Sequence, residues 1–306
     1  MLIDGAYRYI ELRRSLGFKL RKTSRHLASF VDYAAKSGDM HVRIETALAW
    51  AKATSSTQDS YYRRLQEVAL FARFLHAEDR RHEVPQHRLF YRSRSRPAPY
   101  IFSADEVARI LAAARDLRAT RLNPLKPHTF EMLFGLLAAT GLRISEALKL
   151  QLDDILTDGV LHIRATKFNK NRLVPLHPSV MARLDAYLRI REHHYGGMGG
   201  VFLTECGQPL PDRTARGVFH EVLRRAAIAP GRSRRPRLHD LRHTFATRVL
   251  EQCAAGREEV ARDFVALSTY LGHGNIKHTY WYLEATPELM GDIAAAAETL
   301  VAGRCA

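Results

Sequence analysis

Residues 130–141, FEMLFGLLAATG, are apolar almost all the way round a helix, and this constrains the fold more than any other stretch of the chain. A helix without a polar face must be enclosed by other elements, so it belongs at the centre of a helical domain. Gly141 is placed to end it, because glycine takes the left-handed conformation at a helix C-terminus without strain. Arg143 then opens an amphipathic helix carrying Ile144, Ala147 and Leu148. An arginine between a buried helix and its neighbour has poor access to bulk water and calls for an anion.

Helical periodicity dominates elsewhere too. In residues 1–90, Leu27, Phe30, Val31 and Ala34 fall at i, i+3, i+4 and i+7, and Leu65, Ala69, Ala72 and Leu75 form a second stripe. Breaks at Gly17, 37–39 and 54–57 divide this region into four predicted helices. Arg63, Arg64 and Arg73 lie among aromatics on the last helix and read equally as contacts to a polyanion or as the wet side of a bundle. Residues 88–101, RLFYRSRSRPAPYI, mix four arginines with serines and prolines and have no apolar period, which is a linker signature. Helices resume where Ser103 precedes Glu106 in capping-box spacing. The expected organisation is a helical domain over 1–90, a basic linker over 91–101 and a larger domain over 102–306.

Within the larger domain the period changes once. Leu161, Ile163 and Ala165 alternate with Val160, His162 and Arg164, then a turn leads to the apolar run 173–176, so 159–176 predicts a β-hairpin preceded by a short strand at 151–156. Lys167 and Lys170 flank the turn. Pro178 opens a helix that stops before GGMGG at 196–200, a loop with too little motif context to be a phosphate cradle. The fold class is therefore mainly α with a small β-sheet.

Two later stretches carry chemistry. In RLHDLRHTFAT, 237–247, Leu238, Leu241 and Phe245, continued by Val249, form an inward stripe that leaves His239 and Arg242 together at i and i+3. A permanently charged, forked guanidinium beside an imidazole suits a phosphate, although alone the pair also fits a solvated face. In STYLGHGNIKHTYWYLEAT, 268–286, His273 follows a short helical stretch, with Tyr280 and Tyr282 close behind.

Charge narrows the partner. The 306 residues contain 47 Lys+Arg against 32 Asp+Glu, a formal net charge of +15 at pH 7, and residues 1–100 carry more of the excess per residue than the rest. Double-stranded DNA is the expected partner. No apolar run approaches a membrane span, and the N-terminus lacks a signal-peptide core, so a cytoplasmic, nucleoid-associated protein is expected. Cys206, Cys253 and Cys305 show no CxxC spacing, HEVPQH does not fit HExxH, and no carboxylate cluster accompanies the motifs. Neither a cofactor nor a metal is expected, which disfavours a Mg²⁺-dependent nuclease.

Taken in order, TGLRISEALKL with Arg143, ATKFNKNRLVPL with Lys167, LHDLRHTFAT with His239 and Arg242, and YLGHGNIKHTYWY with His273 and Tyr282 resemble the tyrosine recombinase (phage integrase) family. Six residues match in type and order over roughly 100–290. The N-terminal domain is similar to the family's core-binding domain in size, charge and helix count. LRRSLGFKL, EVPQHRLF, RPAPYIFSADEV and KFNKNRLVPLHPS resemble the transposon-associated branch.

The resemblance implies a two-domain clamp on DNA: a helical, SAM-like core-binding domain and an α-rich catalytic domain with a three-stranded sheet. It implies that Arg143 and Arg242 neutralise the non-bridging oxygens of a scissile phosphate, with His239 and His273 adding hydrogen bonds and His239 a candidate base. Tyr282 is the implied nucleophile, nine residues after His273; Tyr280 would be rotated by about 200° on a helix. Lys167 is the implied acid for the leaving 5′-oxygen, with Lys170 as substitute. Leu283 and Glu284 after the tyrosine depart from the family pattern. The alanine-rich tail, GDIAAAAETLVAGRCA, suits packing on a neighbouring protomer in a tetramer on paired sites, or on a related recombinase, and equally suits packing in cis. Dimer resolution, a type IB topoisomerase and a DNA-binding accessory protein without catalysis stay as alternatives.

Overall fold

The inward-facing stripes close into separate cores in two units, Met1–Arg96 and Pro97–Ala306. The computed structural model describes residues 2–86, 98–164, 171–197, 199–229, 235–252 and 257–272. Among the described residues the chain is mainly helical, with one three-stranded sheet. None of their helices is long and apolar enough to cross a membrane.

The first unit contains α1 (Leu2–Ser15), α2 (Arg21–Lys36), α3 (Ile44–Thr54) and α4 (Gln58–His76). The predicted stripes on α2 and α4 are its core, joined by Trp50 of α3, which meets Phe30 edge-on with ring centroids 5.4 Å apart. α3 ends in extended backbone at Ser55, and α4 starts at Thr57, whose hydroxyl accepts from the Ser60 N–H at 3.2 Å. That bond satisfies one of the donors orphaned at a helix start. Arg63 and Arg73 are exposed on α4, whereas the Arg64 guanidinium lies 5.8 Å from the Trp50 ring centre and belongs to the packing.

The second unit starts with Tyr100 and Phe102 packed against its core. α5 (Ala104–Arg115) begins with the expected capping box: the Glu106 N–H donates to Ser103 Oγ at 3.0 Å and the Ser103 N–H to Glu106 Oε2 at 2.9 Å. α6 (Lys126–Thr140) is the enclosed helix and buries Phe130, Met132, Leu133, Phe134, Leu136 and Leu137. Each such side chain stabilises the fold by roughly 1.5–3 kcal/mol relative to exposure. α5, α8 (Pro178–Tyr195) and α10 (Asp240–Glu251) pack directly on it, while α9 (Asp212–Arg225) lies against α5 and α11 (Arg257–Leu271) against α10.

The sheet is antiparallel in the order β1 (Ile155–Leu156), β2 (Val160–Ile163), β3 (Arg172–Pro175), with Leu161 opposite Val174 and Ile163 opposite Arg172. Leu161, Ile163 and Val174 face the core, as the alternation predicts. Two elements are shorter than their patterns suggest. α7 (Ile144–Ala147) is a single turn, because the chain is drawn away into backbone pairing: the Val201 N–H donates to Leu150 O at 2.9 Å and the Leu152 N–H to Gly199 O at 2.7 Å. The strand expected at 151–156 keeps two residues, since Leu152–Asp154 turn as a 3-10 helix in which the Asp154 carboxylate accepts from the Gln151 N–H at 2.9 Å.

The loop after α8 shows how this unit disposes of a buried cation. Arg191 is 1% exposed and donates to Val201 O at 3.2 Å, to Gly196 O at 3.1 Å and to Gly200 O. The glycine-rich loop is therefore filled by an arginine of the chain itself.

Candidate phosphate site

Gly141 fixes the first corner of the site. It ends α6 at φ +60°, and a Cβ there would stand 2.5 Å from Phe245 Cδ1 and 3.1 Å from Leu271 Cδ2, so both conformation and space require glycine. Its carbonyl, one of those left unpaired at a helix end, accepts from Arg242 Nη1 at 2.6 Å. Arg242 Nη2 donates to Leu271 O at 2.7 Å. From α10, this arginine ties the C-terminus of α6 to that of α11, where two helix dipoles present their negative ends to it. At 2% exposed it cannot be part of a solvated face.

Arg143 lies between α6 and α7, where the sequence places it. Its backbone N–H donates to Glu146 Oε2 at 2.9 Å, Nη1 donates to Glu146 Oε1 at 2.7 Å, and Nη2 donates to Gly272 O at 3.1 Å. Its side chain is 26% exposed, so one edge stays open to a ligand. Arg172, the first residue of β3, approaches the same carboxylate: Nη1 donates to Glu146 Oε1 at 3.1 Å and Nη2 to Oε2 at 2.8 Å, while Nε donates to Tyr270 O at 2.8 Å.

Three successive carbonyls, Tyr270, Leu271 and Gly272, thus accept from Arg172, Arg242 and Arg143, which come from three separate stretches of the chain. Burial alone pushes the Glu146 carboxyl up, but the Arg172 guanidinium, the Arg143 N–H and the Arg143 side chain outweigh it and bring the pKa down to about 2. Glu146 is therefore a permanent anion between two cations.

His239 stands at the N-terminus of α10, its ring 4.7 Å from that of His243 in an edge-on arrangement. The residue is exposed, yet desolvation of the ring, followed by Arg242, Arg237 and Arg143, lowers its pKa to about 4, against the opposing pull of Asp240. The imidazole is therefore neutral at pH 7. Asp240, 2% exposed, accepts from the Arg237 N–H at 2.7 Å and from Arg237 Nη2 at 3.1 Å. Tyr270 offers no ready phenolate, since burial, partly offset by Arg172, raises its pKa to about 12.

The structure brings Arg143, Arg242 and His239 together. Lys167 and its substitute Lys170, His273, Tyr280 and Tyr282 lie outside the described residues. The sequence reading missed Glu146, Arg172 and Arg237 as members of the cluster. Glu146 carried a usable signal, the i+3 spacing from Arg143 that fits an N-terminal cap. Arg172 carried none, because its partners are far along the chain.

Buried Arg242 and half-buried Arg143 thus meet at helix ends with a neutral histidine beside them, on a helical domain with one small sheet. Residues 101–288 match the phage integrase family, and the chain belongs to that family, whose members carry out site-specific DNA recombination. It is 40% identical over 290 residues to the integrase/recombinase y4rB of Sinorhizobium fredii, covering 92% of each chain. It is 33% identical over 242 residues to the tyrosine recombinase XerD of Caulobacter vibrioides, covering 76% of this chain and 72% of that one. Among solved structures, the Tn1549 transposon integrase in complex with transposon right end DNA has a similar fold, with a TM-score of 0.67 at 18% identity over 97% of this chain and 99% of that one. A lambda integrase dimer bound to a core site gives a TM-score of 0.65 at 19% identity over 92% and 95%.

Proposed function

We propose that this recombinase cleaves and rejoins double-stranded DNA through a 3′-phosphotyrosyl intermediate and serves the movement of a mobile element. The observation that carries the mechanism is the run of three carbonyls at 270–272 gripping three arginines immediately before His273. Held in this way, Arg143 and Arg242 are set in place before substrate arrives, which makes their stabilisation of a phosphorane effective.

In the proposed step the Tyr282 oxygen attacks the scissile phosphorus as its proton leaves, and the bond to the 5′-oxygen breaks. Lys167 delivers a proton to that oxygen. Neutral His239 is able to accept a hydrogen bond or the phenolic proton, and His273 adds a further donor to the phosphate. The phosphotyrosyl ester keeps the bond energy, so attack by another strand's 5′-hydroxyl reseals DNA without ATP. The net charge of +15 supports DNA as the partner. Lambda integrase is described as a dimer on core-site DNA, and strand exchange by this chain calls for a comparable assembly, a tetramer on paired sites. Resemblance to the transposon-associated branch, with 40% identity to an integrase/recombinase, favours a mobile-element role over dimer resolution.

A nicked suicide substrate incubated with the protein in EDTA tests the reading. A covalent protein–DNA adduct is expected from the unaltered chain and is expected to be absent with Tyr282→Phe. A metal requirement, or an adduct surviving that substitution, contradicts it.

A further inference from the structure

The proposed cleavage step uses Arg143 and Arg242 but gives Arg172, bonded into the same cluster, no role of its own. We infer that Arg172 is a positioning residue for strand cleavage: it holds Arg143 in its phosphate-binding pose by sharing Glu146 with it and by anchoring the carbonyl run at the end of α11. This rests on the reading of the site as a phosphoryl-transfer centre.

The argument is one of geometry and charge. Glu146 accepts four donors: the Arg143 N–H and Nη1, and both terminal nitrogens of Arg172. The trio of Arg143, Arg172 and Glu146 has a net positive charge, so the carboxylate does not cancel the cation meant for phosphate. Without Arg172 the remaining pair, Arg143 and Glu146, is neutral. The Arg143 fork then has a whole carboxylate to itself, in the bidentate geometry that arginine prefers, and its arm on Gly272 O is drawn away.

Arg172 also fixes the backbone to which the other two arginines are tied. Its Nε donates to Tyr270 O, one residue before the Arg242 acceptor and two before the Arg143 acceptor. It passes so close beneath the helix end that a Cβ on Gly272, at φ +66°, would lie 2.9 Å from Arg172 Nη1. Gly272 is thus the residue that admits this guanidinium. Because Arg172 opens β3, the same contacts join the sheet to α11, five residues after Lys167 in the chain.

Single-turnover cleavage on two substrates tests the inference, one with the natural scissile phosphate and one with a methylphosphonate that removes a non-bridging negative charge. Arg172→Met is expected to slow cleavage of the phosphate about 10²-fold, the scale of a small misplacement of a catalytic group. On the methylphosphonate, which needs less cationic stabilisation, the variant is expected within about threefold of the parent, a relief that follows from the charge removed. Arg172→Lys is expected to recover about tenfold of the loss, because one ammonium keeps the charge on Glu146 without also reaching Tyr270 O. Equal losses on both substrates, with no gain from lysine, mean a merely structural role and overturn the inference, as does no loss at all. If Arg172→Met does not fold, Arg172→Lys carries the same two-substrate comparison.

A crystal structure of Arg172→Met, or of Arg172→Lys, reads the claim without chemistry. Arg143 is expected to leave Gly272 O and turn both arms onto Glu146 in the methionine variant, and to keep only a weakened contact with Gly272 O in the lysine variant; an unmoved Arg143 overturns the inference. Failure of the unaltered protein to form an adduct would instead count against the proposed function, and the crystallographic result would still decide the role of Arg172.

Discussion

In the N-terminal unit Arg8 pairs with Glu78, Arg43 with Glu83 and Lys36 with Asp32, all with side chains well exposed. In the C-terminal unit Arg191 and Arg242 are buried and Arg172 nearly so, and they donate to backbone carbonyls, Arg172 also to the Glu146 carboxylate. The first arrangement leaves each pair in water, where it is worth little and is screened by salt, and any attraction for a polyanion comes from the excess of basic over acidic residues in this part of the chain. The second fixes cations where solvent cannot reorganise around them, which a reaction centre requires. Exposed pairs occur in the C-terminal unit as well, such as Arg216 with Asp212, so the difference lies in the arginines held against helix ends and not in ion pairing as such.

This contrast breaks most sharply at Arg242. Arg242→Ala leaves Gly141 O and Leu271 O without their donor and is expected to lower stability by about 3 kcal/mol in chemical denaturation. It is also expected to reduce single-turnover cleavage by at least about 10³-fold, while DNA affinity is expected to change little, because one arginine among 47 Lys+Arg supplies a small share of the charge available to phosphates. Parallel loss of binding would mean that the arginine only holds the fold.

Acid titration sharpens the comparison in two windows. Glu146 has its folded pKa lowered from 4.5 to about 2, so its contribution is full above about 4.5 and is lost as pH falls towards 2. That contribution is on the order of 3 kcal/mol, and Glu146→Gln is expected to remove the dependence in this range. His239 has its folded pKa lowered from 6.5 to about 4, so stability is greatest above 6.5 and declines as pH falls to about 4, where the folded form also takes up the proton. Nuclear magnetic resonance of the His239 ring checks this, with a midpoint near the ordinary histidine value as the contrary result.

Gly141→Ala is expected to cost about 2 kcal/mol, from a left-handed backbone and the contact with Phe245, read as a lower denaturation midpoint. At the small end, Arg8→Ala removes an exposed pair and is expected to leave both the melting curve and the cleavage rate unchanged.

What could be read from residues alone follows the same division. The apolar helix, its Gly141 stop, the Ser103 and Glu106 cap and the alternation in β2 are local patterns, and each is present as expected. Burial of Arg242 was not legible, since a polar residue on a helix looks the same in sequence whether it meets water or the ends of two other helices. Arg172 was hidden for a related reason: its partners, Glu146 and Tyr270, lie on elements that only the tertiary fold brings to β3. α7 is one turn long because of backbone pairing with 199–201, which helix periodicity does not report.

The most direct test traps the cleaved DNA on the protein in EDTA and maps the modified peptide by mass spectrometry, using the unaltered chain and Arg143→Ala. The account predicts a nucleotide joined through its 3′-phosphate to Tyr282, and its disappearance in Arg143→Ala under conditions where DNA is still bound. Modification at Tyr280 or another residue, or undiminished modification without the Arg143 guanidinium, would contradict it.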